Sequence, residues 1–322
     1  MKILVTGSSG RIGSIVAGQL RESGDWVRGF DLRPGSAPLD DFVQGDLATP
    51  AAIEAALDGI EAVAHLGALM SWHPRDEAAM FESNLRGTYN LARAAAARGI
   101  GRFVFASSGE VYPELDPQFL PIDETHPTRP TSAYGMTKLL GEEAVRSFGR
   151  RGLKFSILRF AHTQAASELL DPTSFFSGPR FYVNAKLRQL RGLPDSPNVA
   201  KSIAALEAVA TADEQHYIGC DPSGAPYRMC MCDARDLARG VGLGLHHPAA
   251  EGETFNIGPP RSFAFDEAVP YLAGKTGLAV RRVNLFTASY RYETSIGKAS
   301  RLLGYAPVFD FFGMVDDAAA RR

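Results

Sequence analysis

Tyr134 and Lys138, four positions apart, are the two residues of this chain whose types and spacing most clearly suggest chemistry. They lie in SAYGMTKLLGEE, a segment with helix-forming character, and residues four apart share one face of a helix. A phenol has an ordinary pKa of about 10, which is too high for a good base at neutral pH, and a nearby ammonium lowers it. The spacing therefore predicts a tyrosine base activated by a lysine, although a surface pair on an amphipathic helix has the same pattern.

A glycine-rich turn follows the first apolar run of the chain. In TGSSGRIG, Gly7, Gly10 and Gly13 come directly after KILVTG and open a helix-like segment. A pyrophosphate approaches a backbone only where side chains are absent, and a helix N-terminus offers it free N–H groups and a positive dipole end. Asp31 ends the second strand roughly 20 residues later, where a carboxylate binds ribose hydroxyls and repels a 2′-phosphate. The pattern predicts NAD rather than NADP, although Arg33 lies close enough to accept such a phosphate.

The elements that must position these residues alternate in type along the first half of the chain. Strands are predicted at 2–7, 26–31, 42–46, 62–68, 102–108 and 154–160. Helices are predicted at about 11–23, 49–59, 76–98 and 132–149. Near-continuous apolar strands separated by helices predict an α/β fold with a doubly wound, Rossmann-type parallel sheet.

The pattern changes after residue 162. Residues 163–198 mix proline, glycine and aromatic residues without regular alternation. Beyond them we predict strands at 215–221, 227–232 and 253–258, the last in the main sheet, and helices at 199–212, 233–247 and, ending the C-terminal part, about 295–303. We expect a dinucleotide-binding domain from residues 1–162 plus about 233–258, and a second, smaller substrate-binding lobe from about 163–232 plus 259–322.

The composition is that of an ordinary globular protein, with 45% hydrophobic and 22% charged residues in 322. A net charge of −2 does not indicate nucleic acid or an anionic membrane as a partner, and no apolar run reaches transmembrane length. The N-terminus has no signal-peptide pattern and the cysteine count is odd, which predicts a reducing cytoplasm. Cys230 and Cys232 are too few and too close for a four-ligand zinc site, so no metal is predicted.

Several motifs, in order, resemble those of the extended short-chain dehydrogenase/reductase family, the NAD-dependent epimerases and dehydratases of sugars. TGSSGRIG is similar to that family's TGxxGxxG turn. Later landmarks are matched by GDL (45–47), HLGA (65–68), SNLRGTYNL (83–91), SSGEVY, YGMTK, FNIG (255–258) and RLLGYAP (301–307). The resemblance covers nearly the whole chain and implies NAD as cofactor. It also implies a homodimer formed through the long helices near 76–98 and 132–149.

The resemblance implies a role for each matching residue. Tyr134 is the general base, Lys138 its activator and Ser108 the hydroxyl that binds the reacting substrate oxygen, whereas Ser107 is structural. Asp46 would contact the adenine amino group, although a solvated turn aspartate fits equally well. The implied cofactor-binding residues are Gly7, Gly10, Arg11, Ile12, Gly13, Asp31, Asp46, Leu47, Leu66, Gly67, Ala68, Asn84, Tyr134 and Lys138.

Glu110 bears on the type of reaction. In the family's dehydratases and some decarboxylases, a glutamate two residues before the VY tyrosine acts on the carbon next to the oxidised one, and Glu110 has that place. The dehydratase pattern also has an aspartate just before this glutamate, where this chain has Gly109. We expect Glu110 to contact the substrate, with a structural loop glutamate as the alternative.

The sequence departs from members that act on nucleotide-activated sugars. His162 stands where they have an asparagine, and Arg228 is one residue out of register with their phosphate-binding arginine. Arg180 is a candidate substrate contact, because a guanidinium binds a carboxylate or phosphate well, although a solvated surface arginine is the alternative. His162 is a further candidate for the pocket lining, with a packed core histidine as the alternative. The same segment supplies Tyr182, Asn184 and Lys186 as further pocket candidates. A free sugar, a sugar acid or a related polyol is therefore a serious alternative substrate.

Three functions follow from this reading. The first is an NAD-dependent epimerase/dehydratase-type enzyme that oxidises a hydroxyl of a small sugar-like substrate and regenerates its cofactor. The second is a plain dehydrogenase that releases NADH. The third is a non-catalytic NAD-sensing regulator, which usually lacks the tyrosine or the lysine.

Overall fold

A parallel sheet forms the centre of the molecule. From one edge to the other its strands are β11 (Thr254–Ile257), β6 (Phe155–Phe160), β5 (Arg102–Ser108), β4 (Ala62–His65), β1 (Lys2–Thr6), β2 (Trp26–Asp31) and β3 (Asp41–Gln44). This computed structural model describes residues 1–71, 73–287 and 289–321. The other strands are β7 Thr163–Gln164, β8 His216–Cys220, β9 Arg228–Met229, β10 Cys232–Asp233, β12 Phe263–Ala264 and β13 Val280–Asn284. The helices are α1 Arg11–Glu22, α2 Pro50–Ala56, α3 Glu77–Met80, α4 Gly87–Ala97, α5 Ala133–Gly149, α6 Ser177–Phe181, α7 Val183–Arg191, α8 Pro197–Glu207, α9 Ala234–His246, α10 Phe265–Thr276, α11 Gly297–Leu303 and α12 Phe311–Ala320.

Helices cover both faces of this sheet, which confirms the predicted doubly wound α/β fold. α1 buries Gly13, Val16, Ala17 and Leu20, a spacing that places all four on one helical face. The central strands are buried on both faces: β4 is buried along its whole length, and β1 is buried everywhere except its first residue. Two apolar clusters result, one against α1 and α9 and the other against α2, α4 and α5.

A third apolar cluster lies outside the sheet. It joins residues 166–190 with strands β8 and β9 and with helices α10 and α12. Helix α11, which follows β13, packs instead with the cluster around α1 and α9 through Ala299 and Leu303. The proposed boundaries of the two lobes stay a prediction.

The long helix predicted at 76–98 contains a π-helical turn, Phe81–Arg86, between α3 and α4. The alanine-rich composition predicts a helix, but it does not reveal that one turn of this helix is π-helical and so contains more residues than an α-helical turn. The prediction that a helix at about 295–303 ends the C-terminal part was wrong. A further helix, α12, follows α11 and packs on the third cluster. The strand predicted at 227–232 is two short strands, β9 and β10, in different sheets.

No described helix has the length and apolar character needed to cross a bilayer.

Candidate active site

The glycine turn provides a surface without side chains. Gly7 has φ +69°, and a Cβ added there would lie 2.8 Å from the Gly67 Cα. A Cβ on Gly13 would lie 2.0 Å from the Gly7 carbonyl oxygen, so these positions exclude other residues. Helix α1 then begins at Arg11, and its N-cap, Gly10, makes no side-chain hydrogen bond to the first turn. The backbone N–H groups of this turn fit a pyrophosphate.

A cleft of about 710 Å³ extends from this turn to Tyr134 and Lys138. The volume is in the range for a large organic ligand. It is lined by Gly7, Gly10, Arg11, Ile12, Gly13, Asp31, Asp46, Leu47, Leu66, Gly67, Ala68, Tyr134 and Lys138 among others. All predicted cofactor residues except Asn84 are in this lining.

Asp31 is held in the cleft by the turn itself. Its Oδ2 accepts a hydrogen bond from the Ser9 amide at 3.0 Å, and its Oδ1 accepts one from the Leu32 amide at 2.7 Å. Arg33 also lines the cleft, so both residues that bear on the choice between NAD and NADP are present. Asp46 lines the cleft while accepting a hydrogen bond from the Ala48 amide, which leaves both readings of that residue open.

Asn84 lies behind the cleft wall. Its buried amide donates to the Leu69 carbonyl at 2.8 Å and to the Thr137 hydroxyl at 3.1 Å, and its oxygen accepts from the Leu69 amide at 2.7 Å. It therefore fixes the loop after β4, including Leu69, which does line the cleft.

Tyr134 and Lys138 lie in the first two turns of α5, whose N-cap Ser132 accepts a hydrogen bond from the Gly135 amide. The Lys138 ammonium donates to the Ala106 carbonyl at 2.9 Å and lies 5.7 Å from the centre of the Tyr134 ring. Burial lowers the pKa of Lys138 to about 8, against a smaller opposing effect of Glu142.

The expected lowering of the Tyr134 pKa is wrong for this structure. Burial raises the pKa of the Tyr134 phenol, and the charge of Glu110 raises it further. Desolvation of the phenolate is the main cause, and the Lys138 ammonium hydrogen-bonds the Ala106 carbonyl.

A second cavity, of about 130 Å³, adjoins the cleft and shares Tyr134 with it. Its polar lining consists of Arg11, Ser107, Ser108, Glu110, Glu114, Tyr134, His162, Thr163 and Arg180. The structure thus brings together all four residues predicted to contact substrate with the predicted base. The Ser108 hydroxyl accepts a hydrogen bond from the Glu110 amide at 3.1 Å, and a Glu110 carboxylate oxygen accepts one from Ser132 at 2.5 Å.

The other pocket candidates do not reach either cavity. Tyr182 is buried and donates to the Leu169 carbonyl, and Asn184 donates to the Thr211 carbonyl. Lys186 donates to Gln189, and burial lowers its pKa to about 8. Arg228 is half-exposed and pairs with Glu293 at 3.1 Å.

A buried polar network beneath the two cavities was not predicted. Glu142, one helical turn after Lys138, accepts two hydrogen bonds from Arg159 at 2.8 and 2.9 Å. Its carboxylate also accepts hydrogen bonds from Ser107 at 2.6 Å and from Arg146 at 2.9 Å. Ser107 therefore has a structural contact, but it also lines both cavities, and its purely structural role stays a prediction.

The network extends to the edge of the sheet. Arg159 donates to the Tyr112 hydroxyl, which donates to Asn256 in β11, both at 2.8 Å. The four-residue spacing of Lys138 and Glu142 is a sequence signal for one part of this network, whereas Arg159 and Asn256 are distant from both in sequence.

Comparison with known proteins gives three findings. The model of the NAD-dependent epimerase/dehydratase family matches residues 3–189, more than half of this chain. A solved short-chain dehydrogenase/reductase superfamily protein from Agrobacterium tumefaciens, with bound NAD, is 43% identical. It superposes with a TM-score of 0.93 over 99% of this chain and 96% of that one.

The third finding concerns curated relatives. A putative UDP-glucose 4-epimerase of Methanocaldococcus jannaschii is 34% identical over 180 residues, and a uronate dehydrogenase of Pseudomonas putida is 29% identical over 164. These alignments cover 53% and 49% of this chain. The chain spans somewhat more than half the length of these relatives, 58% and 59%.

Proposed function

The chain belongs to the NAD-dependent epimerase/dehydratase family, and from this we propose that it uses NAD to oxidise a hydroxyl group of a sugar or sugar-derived substrate. The observation that carries the proposal is the junction of the two cavities. Tyr134 lines both the long cleft and the small pocket, and Ser108 lies in the pocket. A base at this junction has a cofactor on one side and a substrate hydroxyl on the other.

The residues of the cleft suit NAD. The glycine turn and the start of α1 would hold the pyrophosphate, and Asp31 would hold the adenosine ribose. Bound NAD supplies a hydride acceptor for the substrate carbon. The solved relative that contains NAD supports the same assignment.

The chain's own groups handle the proton. Tyr134 takes the proton of the substrate hydroxyl while the hydride leaves the same carbon, so the product is a carbonyl. Burial and Glu110 raise the pKa of this phenol, so its phenolate form needs a positive charge beside it. Ser108 hydrogen-bonds the reacting oxygen. Lys138 is mostly protonated at neutral pH, because its pKa is about 8, and its positive charge stabilises the phenolate.

Glu110 is proposed to contact the substrate. It lines the pocket next to Ser108 and Tyr134, and Ser132 holds its carboxylate in place. Gly109 has no carboxyl group, so the acid that the dehydratase pattern places before the glutamate is missing.

The net reaction has two candidates. An epimerase/dehydratase-type reaction returns the hydride and keeps the cofactor, as the family name and the M. jannaschii relative suggest. A plain dehydrogenase that releases NADH is favoured by the pocket of about 130 Å³, which suits a substrate without a nucleotide, and by the uronate dehydrogenase relative. A sensor without activity is disfavoured because Tyr134 and Lys138 are both present. The homodimer and the cytoplasmic location stay predictions.

The cofactor content of the purified protein separates the two candidates without a substrate. The protein is denatured, and the NAD and NADH released per chain are quantified. A nearly stoichiometric cofactor supports a redox-neutral reaction, whereas an empty protein that binds added NAD reversibly supports a dehydrogenase. No NAD binding in either form would sink the proposal.

Turnover tests the base. Tyr134→Phe removes the proton acceptor and keeps the ring, so we expect kcat to fall about 10²–10⁴-fold with NAD affinity preserved. Full activity in this variant would exclude Tyr134 as the base.

A further inference from the structure

We propose that Arg180 and His162 form a subsite for a carboxylate group of the substrate, so that the substrate is a sugar acid rather than a neutral sugar. This inference rests on the proposed function, since it concerns the same pocket. Ser108 and Tyr134 lie in that pocket with Arg180, which places the oxidised hydroxyl and the carboxylate within one small molecule.

Arg180 is a buried charge whose donors are not all used. It is 7% exposed, and its Nη2 donates to His162 Nδ1 at 2.8 Å. Its Nε and Nη1 are buried and have no hydrogen-bond partner among the described residues. A buried guanidinium is normally paired, and each unpaired donor costs free energy, so the arrangement is complete only with an anion.

The surroundings of Arg180 do not replace that anion. Burial lowers the pKa of Arg180, and the opposing effects of Tyr290, Glu114, Tyr217 and Glu110 offset this only in part. The ring of Phe176 lies 5.4 Å from its guanidinium, a contact that orients the group without accepting its N–H donors well.

His162 supplies a further donor in a fixed orientation. A guanidinium can only donate, so His162 Nδ1 must accept and the proton of the neutral ring is on Nε2. Burial, followed by the charge of Arg180, lowers the pKa of His162 and keeps the ring neutral. Its Nε2 is buried without a hydrogen bond to a described residue, and the Glu114 carboxylate is 3.6 Å away.

A carboxylate fits this site better than a phosphate. Glu110 and Glu114 also line the pocket, so a dianion meets more repulsion there than a monoanion. Arg11, the other arginine of the pocket, already forms a bidentate pair with Glu168 at 2.6 and 2.9 Å. A planar carboxylate matches the guanidinium fork, and the pocket of about 130 Å³ has little room for a larger group.

The test is a calorimetric comparison of matched probes with saturating NADH, which cannot accept a hydride and so prevents turnover. The pairs are galacturonate with galactose and glucuronate with glucose, and the two hexose 6-phosphates test the phosphate alternative. We expect at least one uronate to bind about 10-fold or more tightly than its neutral partner. Arg180→Met should abolish this preference, and Arg180→Lys should retain part of it.

Arg188→Met is the matched control, because Arg188 is an exposed arginine of α7 outside both cavities and should keep the preference. The absence of an acid preference in both pairs, its survival in Arg180→Met, or tighter binding of a 6-phosphate each overturns the subsite. The NADH titration of the same samples separates the two proposals. Normal NADH binding without an acid preference removes only the subsite, whereas no NADH binding removes the proposed function as well.

Discussion

Arg159 and Arg180 are two buried arginines in opposite situations. Arg159 is 5% exposed and makes two hydrogen bonds to Glu142 and one to Tyr112, and the pair with Glu142 raises its pKa against the effect of burial. Arg180 is 7% exposed, has two unpartnered nitrogens among the described residues, and has a lowered pKa. The first charge is satisfied by the fold itself and the second is not.

This difference separates stability from binding. The Arg159 network joins α5, β5, β6 and β11 beneath Ser108 and Lys138, so it holds the site in shape. Arg180 lies in the wall of the pocket and its unused donors are a cost to the folded protein. The same substitution should therefore lower the free energy of unfolding strongly at Arg159 and change it little, or raise it, at Arg180.

The largest expected effect comes from Arg159→Met. This substitution leaves the Glu142 carboxylate buried without its main partner, which typically costs about 3–5 kcal/mol. Urea unfolding of the variant and the wild type measures the loss. A loss below about 1 kcal/mol would mean that Arg146 and Ser107 alone satisfy Glu142, and the comparison would fail.

Removal of both charges should restore part of this stability. In Glu142→Leu/Arg159→Met both members of this charge pair are replaced by apolar side chains, so we expect about half or more of the single-variant loss to be recovered. A double-variant cycle by urea unfolding tests this. Additive losses in the double variant would show that packing, rather than charge, is the main contribution of Arg159.

Arg180→Met should change the free energy of unfolding by no more than about 1 kcal/mol, or increase it, because an under-compensated charge is replaced by an apolar chain of similar length. Arg188→Met gives the baseline for losing an exposed arginine. A loss as large as that in Arg159→Met would show that Arg180 is satisfied by the fold and would contradict the comparison.

The smallest expected effect is on how the free energy of unfolding depends on pH in the acid range. Arg159 and the other donors hold the pKa of Glu142 below its ordinary value of 4.5, despite burial. A carboxyl group with a lowered pKa stabilises the folded state above 4.5, and this contribution is lost as the pH falls through the folded pKa. The difference in unfolding free energy between wild type and Arg159→Met should therefore narrow below pH 4.5. A constant difference across this range would contradict the assigned charge pair.

The sequence was informative where contacts are local. The glycine turn, the end of β2 and the Tyr134–Lys138 spacing each lie within one element or one turn, so periodicity and residue type predicted them. The helix α10 was missed because Pro270 interrupts its pattern, and α12 because apolar residues dominate it.

Long-range pairing was not predictable. Nothing in the sequence shows that Arg159 meets Glu142 or that two nitrogens of Arg180 have no hydrogen-bond partner among the described residues, because both facts depend on which elements pack together. The sign of the Tyr134 pKa shift was missed for the same reason, since desolvation depends on the finished packing.

The position of β11 has a consequence for synthesis of the protein on the ribosome. β11 pairs with β6, but residues 161–253 lie between them in the chain. The newly made sheet therefore has β6 as an open edge, with unpaired backbone groups that favour aggregation, until most of the chain has emerged. Asn256 arrives with β11, so the contact of Tyr112 with this residue is among the last to form.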